Sequence, residues 1–223
     1  MPIVIAHRGA SAYEPENSIA AFRRAVELGA DGIELDVHET ADGELVVVHD
    51  PNLDGEPIAG LPVADVRTRR LPNGESIPTL AEALAVIGSD VTAFIEVKTV
   101  STHRDTRLFA IIDAAPDRDR CHVHSFDHRI IKRLGAGRPG LVGGVLSASY
   151  PIDPVEQVTA AGAATLWQQA DHVDRPLAGA IHDAGYRLYA WTVDAPERMR
   201  ELEELGVDGL CTNKPDVARE VFG

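Results

Sequence analysis

The chain has 223 residues, 44 % of them apolar, and its 21 basic against 35 acidic side chains give a formal charge of −14. A length of that order suits one barrel or doubly wound domain, burying about 70–75 % of the surface of the unfolded chain, and the negative field disfavours nucleic acid and anionic lipid as partners. Two cysteines, Cys121 and Cys211, are too few for a disulfide framework, no apolar stretch reaches the roughly 18 residues of a membrane span, and Met1 to Gly9 lacks the pattern of a secretory leader, so a cytoplasmic protein with reduced thiols is expected.

Residues 3–7 form a short apolar run that reads as a buried strand, and 17–28 carries Ile19, Phe22, Ala25, Val26 and Leu28 at helical spacing behind Pro15, with Asn17 as its expected cap. From Gly32 to Asp50 the chain reads as a strand, an Asp42-Gly43 turn and a returning strand, a hairpin flanked by β-branched residues. Alternation along the first arm puts Glu34 and Asp36 on one face and Ile33, Leu35 and Val37 on the other, and the turn can carry His49 back toward the two carboxylates. Residues 50–78, broken by prolines and glycines, read as an irregular insertion, and 79–87 as a helix with Thr79 and Glu82 in a capping box.

Strands and helices then alternate to the end. Strands are expected over 92–98, 121–125, 141–146, 164–167, 188–193 and 209–212, and helices over 105–115, 127–134, 154–161, 174–184, 196–205 and 215–222. With the returning arm counted as an excursion, eight strands each precede a helix, which is the order of a (β/α)₈ TIM barrel with a β-hairpin excursion and a short insertion after strand 2. The expected domain is the whole chain, 1–223, with 50–78 inside it. His7 ends strand one, Glu34 and Asp36 strand two, Glu96 and Lys98 strand three, at the barrel ends that carry chemistry. A doubly wound sheet would need a glycine-rich phosphate turn after strand one, and none is present.

His7-Arg8-Gly9, Pro15-Glu16-Asn17-Ser18, Gly29 to Val37, Val48-His49-Asp50, Ile77-Pro78-Thr79-Leu80 and Ile95-Glu96-Val97-Lys98 occur in this order, followed by Ser125-Phe126, Trp191-Thr192-Val193 and Gly206 to Gly209 before Thr212. In order and spacing this set resembles the glycerophosphodiester phosphodiesterase family. The resemblance implies a TIM barrel that uses a divalent cation to hydrolyse a glycerophosphodiester, a small molecule, to glycerol 3-phosphate and an alcohol. It also implies Glu34, Asp36 and Glu96 as metal ligands, His7 and His49 as the acid–base pair, and Arg8 and Lys98 as phosphate contacts. Asp194 stands where the family usually has Asn, Asn213 where it usually has Asp, and Asp54-Gly55-Glu56 where a basic residue is usual, departures expected to touch substrate choice.

The chemistry is coherent with the residue types. Charge developing on phosphoryl oxygens calls for positioning and electrostatic stabilisation, and carboxylate ligands alone favour a hard cation, Mg²⁺ or Ca²⁺. Arg8 can fork onto two phosphate oxygens and Lys98 adds a point charge, which supplies the local cations an acidic protein needs for an anionic substrate. Two histidines suit removal of one proton and delivery of another. Trp191 fits core filling and a substrate-binding wall for the leaving group equally. His122-Val123-His124 has a spacing that barrel amidohydrolases use for metal, but later strands lack matching histidines. The competing readings are a phospholipase D-like or lysophospholipase D enzyme, which needs an apolar rim, and a silent phosphodiester-binding barrel, which should have lost a ligand or a histidine. Nothing in the sequence specifies an oligomer.

Overall fold

A computed structural model describes residues 1–223. Eight parallel strands close on one another: β1 (Ile3–His7), β2 (Gly32–Glu39), β3 (Thr92–Thr99), β4 (Cys121–Ser125), β5 (Gly143–Ser147), β6 (Thr165–Gln169), β7 (Arg187–Trp191) and β8 (Gly209–Thr212). Closure comes from β1, which pairs with β8 through Ile3 and Gly209 and with β2 through Ile5 and Gly32. Each strand is followed by a helix: α1 (Ile19–Glu27), α2 (Leu80–Ile87), α3 (Asp105–Asp113), α4 (His128–Gly137), α5 (Pro154–Ala161), α6 (Arg175–Asp183), α7 (Pro196–Glu204) and α8 (Pro215–Phe222). The architecture is the (β/α)₈ barrel expected from the sequence.

Apolar side chains fill two layers. A large core lies between sheet and helices, where Leu35, Val37, Ile95 and Val97 meet Phe22, Leu80 and Leu84. Inside the barrel Ile5, Phe94, Leu146, Trp167, Tyr189 and Cys211 make a plug. Phe94, Trp167 and Tyr189 meet edge to face with centroids 5.0–5.8 Å apart, an arrangement that aligns ring edges with π-faces. His7, Glu96 and Lys98 follow the plug residues Ile5 and Phe94 along their strands, toward the C-terminal ends, and Asp36 is level with Glu96.

The Asp42-Gly43 turn forms as expected, Gly43 taking φ 84°, and the returning arm, Leu45–Val47, pairs antiparallel with β2 through Val37 and Val47. The 50–78 segment is more regular than its sequence indicates. It holds a ribbon of Asn52–Leu53 with Glu56–Pro57, a 3₁₀ turn at Ile58–Gly60, a helical turn at Val63–Val66, and a small core of Val46, Ile58, Val66 and Ile77. Elements of two to four residues are too short to show a hydrophobic period.

Two helix starts illustrate local control. Helix α2 has the expected capping box: Thr79 accepts from the Glu82 backbone N–H, and the Glu82 carboxylate accepts from the Thr79 N–H. Thr79→Ala should lower stability by about 1 kcal/mol and the melting temperature by about 2–4 °C without changing turnover; an unchanged denaturation midpoint would show that the box contributes nothing. Helix α1 differs from expectation. Its cap is Ser18, whose Oγ accepts from the Ala21 N–H, while Asn17 adopts φ 57° and turns its amide into the barrel.

Candidate active site

The site is built from the exits of β1 to β4 and β8. His7 ends β1, and the next two residues break the strand direction through left-handed backbone, Arg8 at φ 56° and Gly9 at φ 81°. A Cβ on Gly9 would stand 2.7 Å from the Ala21 backbone, so the turn can run this close to α1 only with glycine. The bend points the Arg8 N–H at Glu34 Oε2, 3.1 Å away. Arg8 and Asn17, both non-glycine residues at positive φ, both reach the acidic strand β2, a concentration of backbone strain typical of functional sites.

Register then aligns the acidic row. Asp36 on β2 lies opposite Glu96 on β3, and Glu96 lies opposite His124 on β4. Glu34, Asp36, Glu96 and His124 are all buried. The carboxylate of Asp36 lies between two cations: Oδ1 is 3.0 Å from Lys98 Nζ, and Oδ2 is 3.2 Å from Arg8 Nε and accepts from the Asn17 amide at 2.8 Å. Lys98 also lies 2.6 Å from Glu96 Oε1, and Arg8 2.8 Å from Glu16. Glu34, Glu96 and His124 each offer a ligand atom within 4.8 Å of the other two.

Burial and like charge set the protonation of this row. Burial, then the neighbouring Asp36, pushes Glu34 up to about 7, and burial, then Glu34, does the same to Glu96. For Asp36 burial acts upward too, but Lys98, Arg8 and the Asn17 hydrogen bond outweigh it and hold the carboxyl below the usual range. Burial pushes His124 down to about 4, so its imidazole is neutral at physiological pH. Three carboxylates thus face two fixed cations, and the two glutamates carry the surplus negative charge.

A cavity of about 210 Å³ opens over this row, and His7, Arg8, Glu34, His49, Glu96 and Lys98 all line it. Trp191, half-buried, lines it as well, its indole N–H donating to the Trp167 carbonyl at 3.0 Å and its ring meeting the exposed Phe126 edge to face. Every residue that the sequence marks for catalysis, substrate or metal therefore borders the cavity, except Asp36, which sits behind it in its ion pairs.

Supporting residues fix both histidines. His7 Nδ1 is 2.7 Å from Asn213 Oδ1, and Asn213 in turn gives its amide N–H to Asp194 Oδ2 at 2.6 Å and its backbone N–H to Asp194 Oδ1 at 2.8 Å. A flipped amide would set two acceptors against each other at Asp194, so Oδ1 faces the ring, Nδ1 carries the proton, and Nε2 keeps its lone pair. The two residues noted at 194 and 213 are thus hydrogen-bonded to each other, and they lie behind His7. His49 Nδ1 is 2.9 Å from Asp50 Oδ1, and its carbonyl is 3.0 Å from Nε2 of the buried His38. Asn17, His38, His124, Asp194 and Asn213 were not marked for these tasks by the sequence. Only His124, in a metal-like spacing, and the paired departures carried a signal.

A model of the glycerophosphoryl diester phosphodiesterase family matches residues 7–217. The chain belongs to that family. It is accordingly an enzyme of the phosphoric diester hydrolase class. A glycerophosphodiester phosphodiesterase of Caldanaerobacter subterraneus subsp. tengcongensis is 34 % identical over 96 % of this chain and 95 % of its own. Among solved structures, an Oleispira antarctica phosphodiesterase in complex with the product sn-glycerol-3-phosphate superposes with a TM-score of 0.92 at 25 % identity, covering 100 % of this chain and 97 % of that one. A glycerophosphodiester phosphodiesterase of Parabacteroides distasonis gives 0.86 at 27 % identity, covering 99 % and 95 %. No helix is long and apolar enough to cross a membrane.

Proposed function

We propose that the whole chain acts as one catalytic domain that hydrolyses glycerophosphodiesters to glycerol 3-phosphate and an alcohol, with a divalent cation held by Glu34, Asp36 and Glu96 and with His7 and His49 as proton carriers. The observation that carries this reading is the single cavity in which two histidines, an arginine and a lysine face two buried glutamates. The product named in the Oleispira antarctica complex fits a cavity of that charge pattern.

The donor set suits a divalent cation. Two carboxyls pushed up to about 7 by burial and by neighbouring carboxylates are short of positive charge, and oxygen donors satisfy hard or borderline ions. When bound, such an ion would draw charge from the non-bridging oxygens of the phosphate. The chain's own groups do the rest. Arg8 and Lys98 hold the phosphate against the negative field of the protein, and the left-handed bend at Arg8 aims both its guanidinium and its N–H inward. His7, with Nδ1–H committed to Asn213, presents Nε2 as the acceptor for the proton of the attacking water. His49, on the excursion arm, delivers a proton to the departing alkoxide. Trp191 lines the leaving-group side.

The test is incubation of chelator-treated protein with glycerophosphocholine, with and without added Mg²⁺, Ca²⁺ or Mn²⁺, reading glycerol 3-phosphate. Release only with a cation is expected; no release with any of the three sinks the reading. One observation favours a second reading, lysophospholipase D action: Phe126, Tyr150 and Ile152 stand exposed on the loops leaving β4 and β5, at the cavity's end of the barrel. Turnover of lysophosphatidylcholine in preference to glycerophosphocholine would select it.

A further inference from the structure

His124 has no hydrogen-bonding task in the fold. It is 1 % exposed, its Nδ1 is buried without a partner, and its Nε2 lies 3.7 Å from Glu34 Oε1, beyond hydrogen-bond length. Its ring is stacked on the Trp167 indole with centroids 4.3 Å apart and planes within 9° of parallel, so its orientation is fixed from below. Parallel register sets it level with Glu96, which is level with Asp36. A ligand atom from each of His124, Glu34 and Glu96 lies within 4.8 Å of the other two. Leaving a buried polar group unsatisfied costs about 1–3 kcal/mol, and an aromatic hydrocarbon would fill the space over Trp167 without that cost. The nitrogen placed to share a ligand with the glutamates is Nε2, which no protein group hydrogen-bonds, on a ring that lines the cavity.

We propose that His124 is a nitrogen ligand of the divalent-cation site, so that the site takes a first-row transition ion, Co²⁺ or Zn²⁺ above Mn²⁺, in preference to Ca²⁺ or Mg²⁺. The proposal rests on the reading of the acidic row as a cation site and adds an imidazole to the carboxylate donor set expected from the sequence. Imidazole is a softer donor than carboxylate, and Ca²⁺ and Mg²⁺ gain little from it, whereas the later first-row ions gain progressively more. Geometry supports the same choice: the Trp167 stack holds a rigid planar donor in place, where a Ca²⁺ site is built from adaptable oxygens.

The deciding experiment uses Mn²⁺ as probe on chelator-stripped wild-type protein. Pulsed electron paramagnetic resonance should show nitrogen modulation from one imidazole on the bound Mn²⁺. The modulation should vanish in His124→Gln, with Mn²⁺ affinity falling about tenfold or more while Ca²⁺ affinity changes far less. Mn²⁺ bound without nitrogen modulation in the wild type, or Ca²⁺ bound more tightly than Mn²⁺, overturns the role of His124 and leaves the acidic row standing as a cation site. Failure of Mn²⁺, Ca²⁺ and Mg²⁺ alike to bind overturns both. Should His124→Gln fail to fold, His124→Phe, which keeps a ring on the Trp167 indole, carries the same test, and modulation that persists in it comes from His7 or His49 and overturns the proposal.

Discussion

His7→Ala and His49→Ala should each lower turnover of glycerophosphocholine by about 10³-fold, within the range that positioned acid–base groups contribute, with circular dichroism and melting temperature close to wild type. Neither ring belongs to the apolar core, and both border the cavity. Their supports predict a graded effect. Asn213→Leu leaves His7 in place but removes the acceptor that fixes its tautomer, so kcat should fall about tenfold while KM, which reports phosphate binding by Arg8 and Lys98, changes little. A merely structural Asn213 would change melting temperature without that split. Rate against pH should be bell-shaped in the wild type and lose one limb when the corresponding histidine is replaced. Wild-type turnover in either alanine variant would remove that histidine from the chemistry.

What the sequence could show of this site follows a physical boundary. Strand-end residues were legible because a barrel strand is a short apolar run with a fixed exit, so His7, Glu34, Asp36, Glu96 and Lys98 are ordered by counting along the chain. Helix boundaries were legible where one side chain closes a cap, as at Thr79. Partners brought together by register were not. Asn17 precedes a helix and reads as its cap, yet Ser18 takes that task because positive φ turns Asn17 toward Asp36. His124 reaches Glu96 only through the parallel pairing of β3 with β4. Asp194 and Asn213 lie on loops after different strands, and they form one hydrogen-bonded unit only once those loops meet behind His7. The regular turns in 50–78 escaped for a different reason: their packing around Ile58 and Val66 is nonlocal, and no element there is long enough to show a period.

Metal-free protein should lose stability as pH rises from 6.5 to 8, and a divalent cation should restore it. Glu34 and Glu96 have folded values pushed up to about 7 against an ordinary 4.5. Above 4.5 the unfolded chain has therefore released protons that the native state still holds, and stability falls with pH until both glutamates are ionised near pH 8. Burial of His122 and His124, each pushed down to about 4, works in the opposite sense but only below about 6.5, where the unfolded histidines take up protons that the native ones refuse. The fall is accordingly cleanest between 6.5 and 8 and amounts to about 1–2 kcal/mol for the two carboxyls together, or about 3–6 °C in melting temperature for a domain of this size. Protons and cation compete for the same oxygens, so a fixed concentration of Mn²⁺ should raise the melting temperature more at pH 8 than at pH 6.5. Glu96→Gln removes one of the two raised carboxyls, which should roughly halve the pH slope and shrink the cation-induced shift. A chelator-treated wild type whose melting temperature is level or rising from pH 6.5 to 8 would mean that the two glutamates are not held protonated together, and the case for a cation-deficient acidic row at the barrel mouth would fail with it.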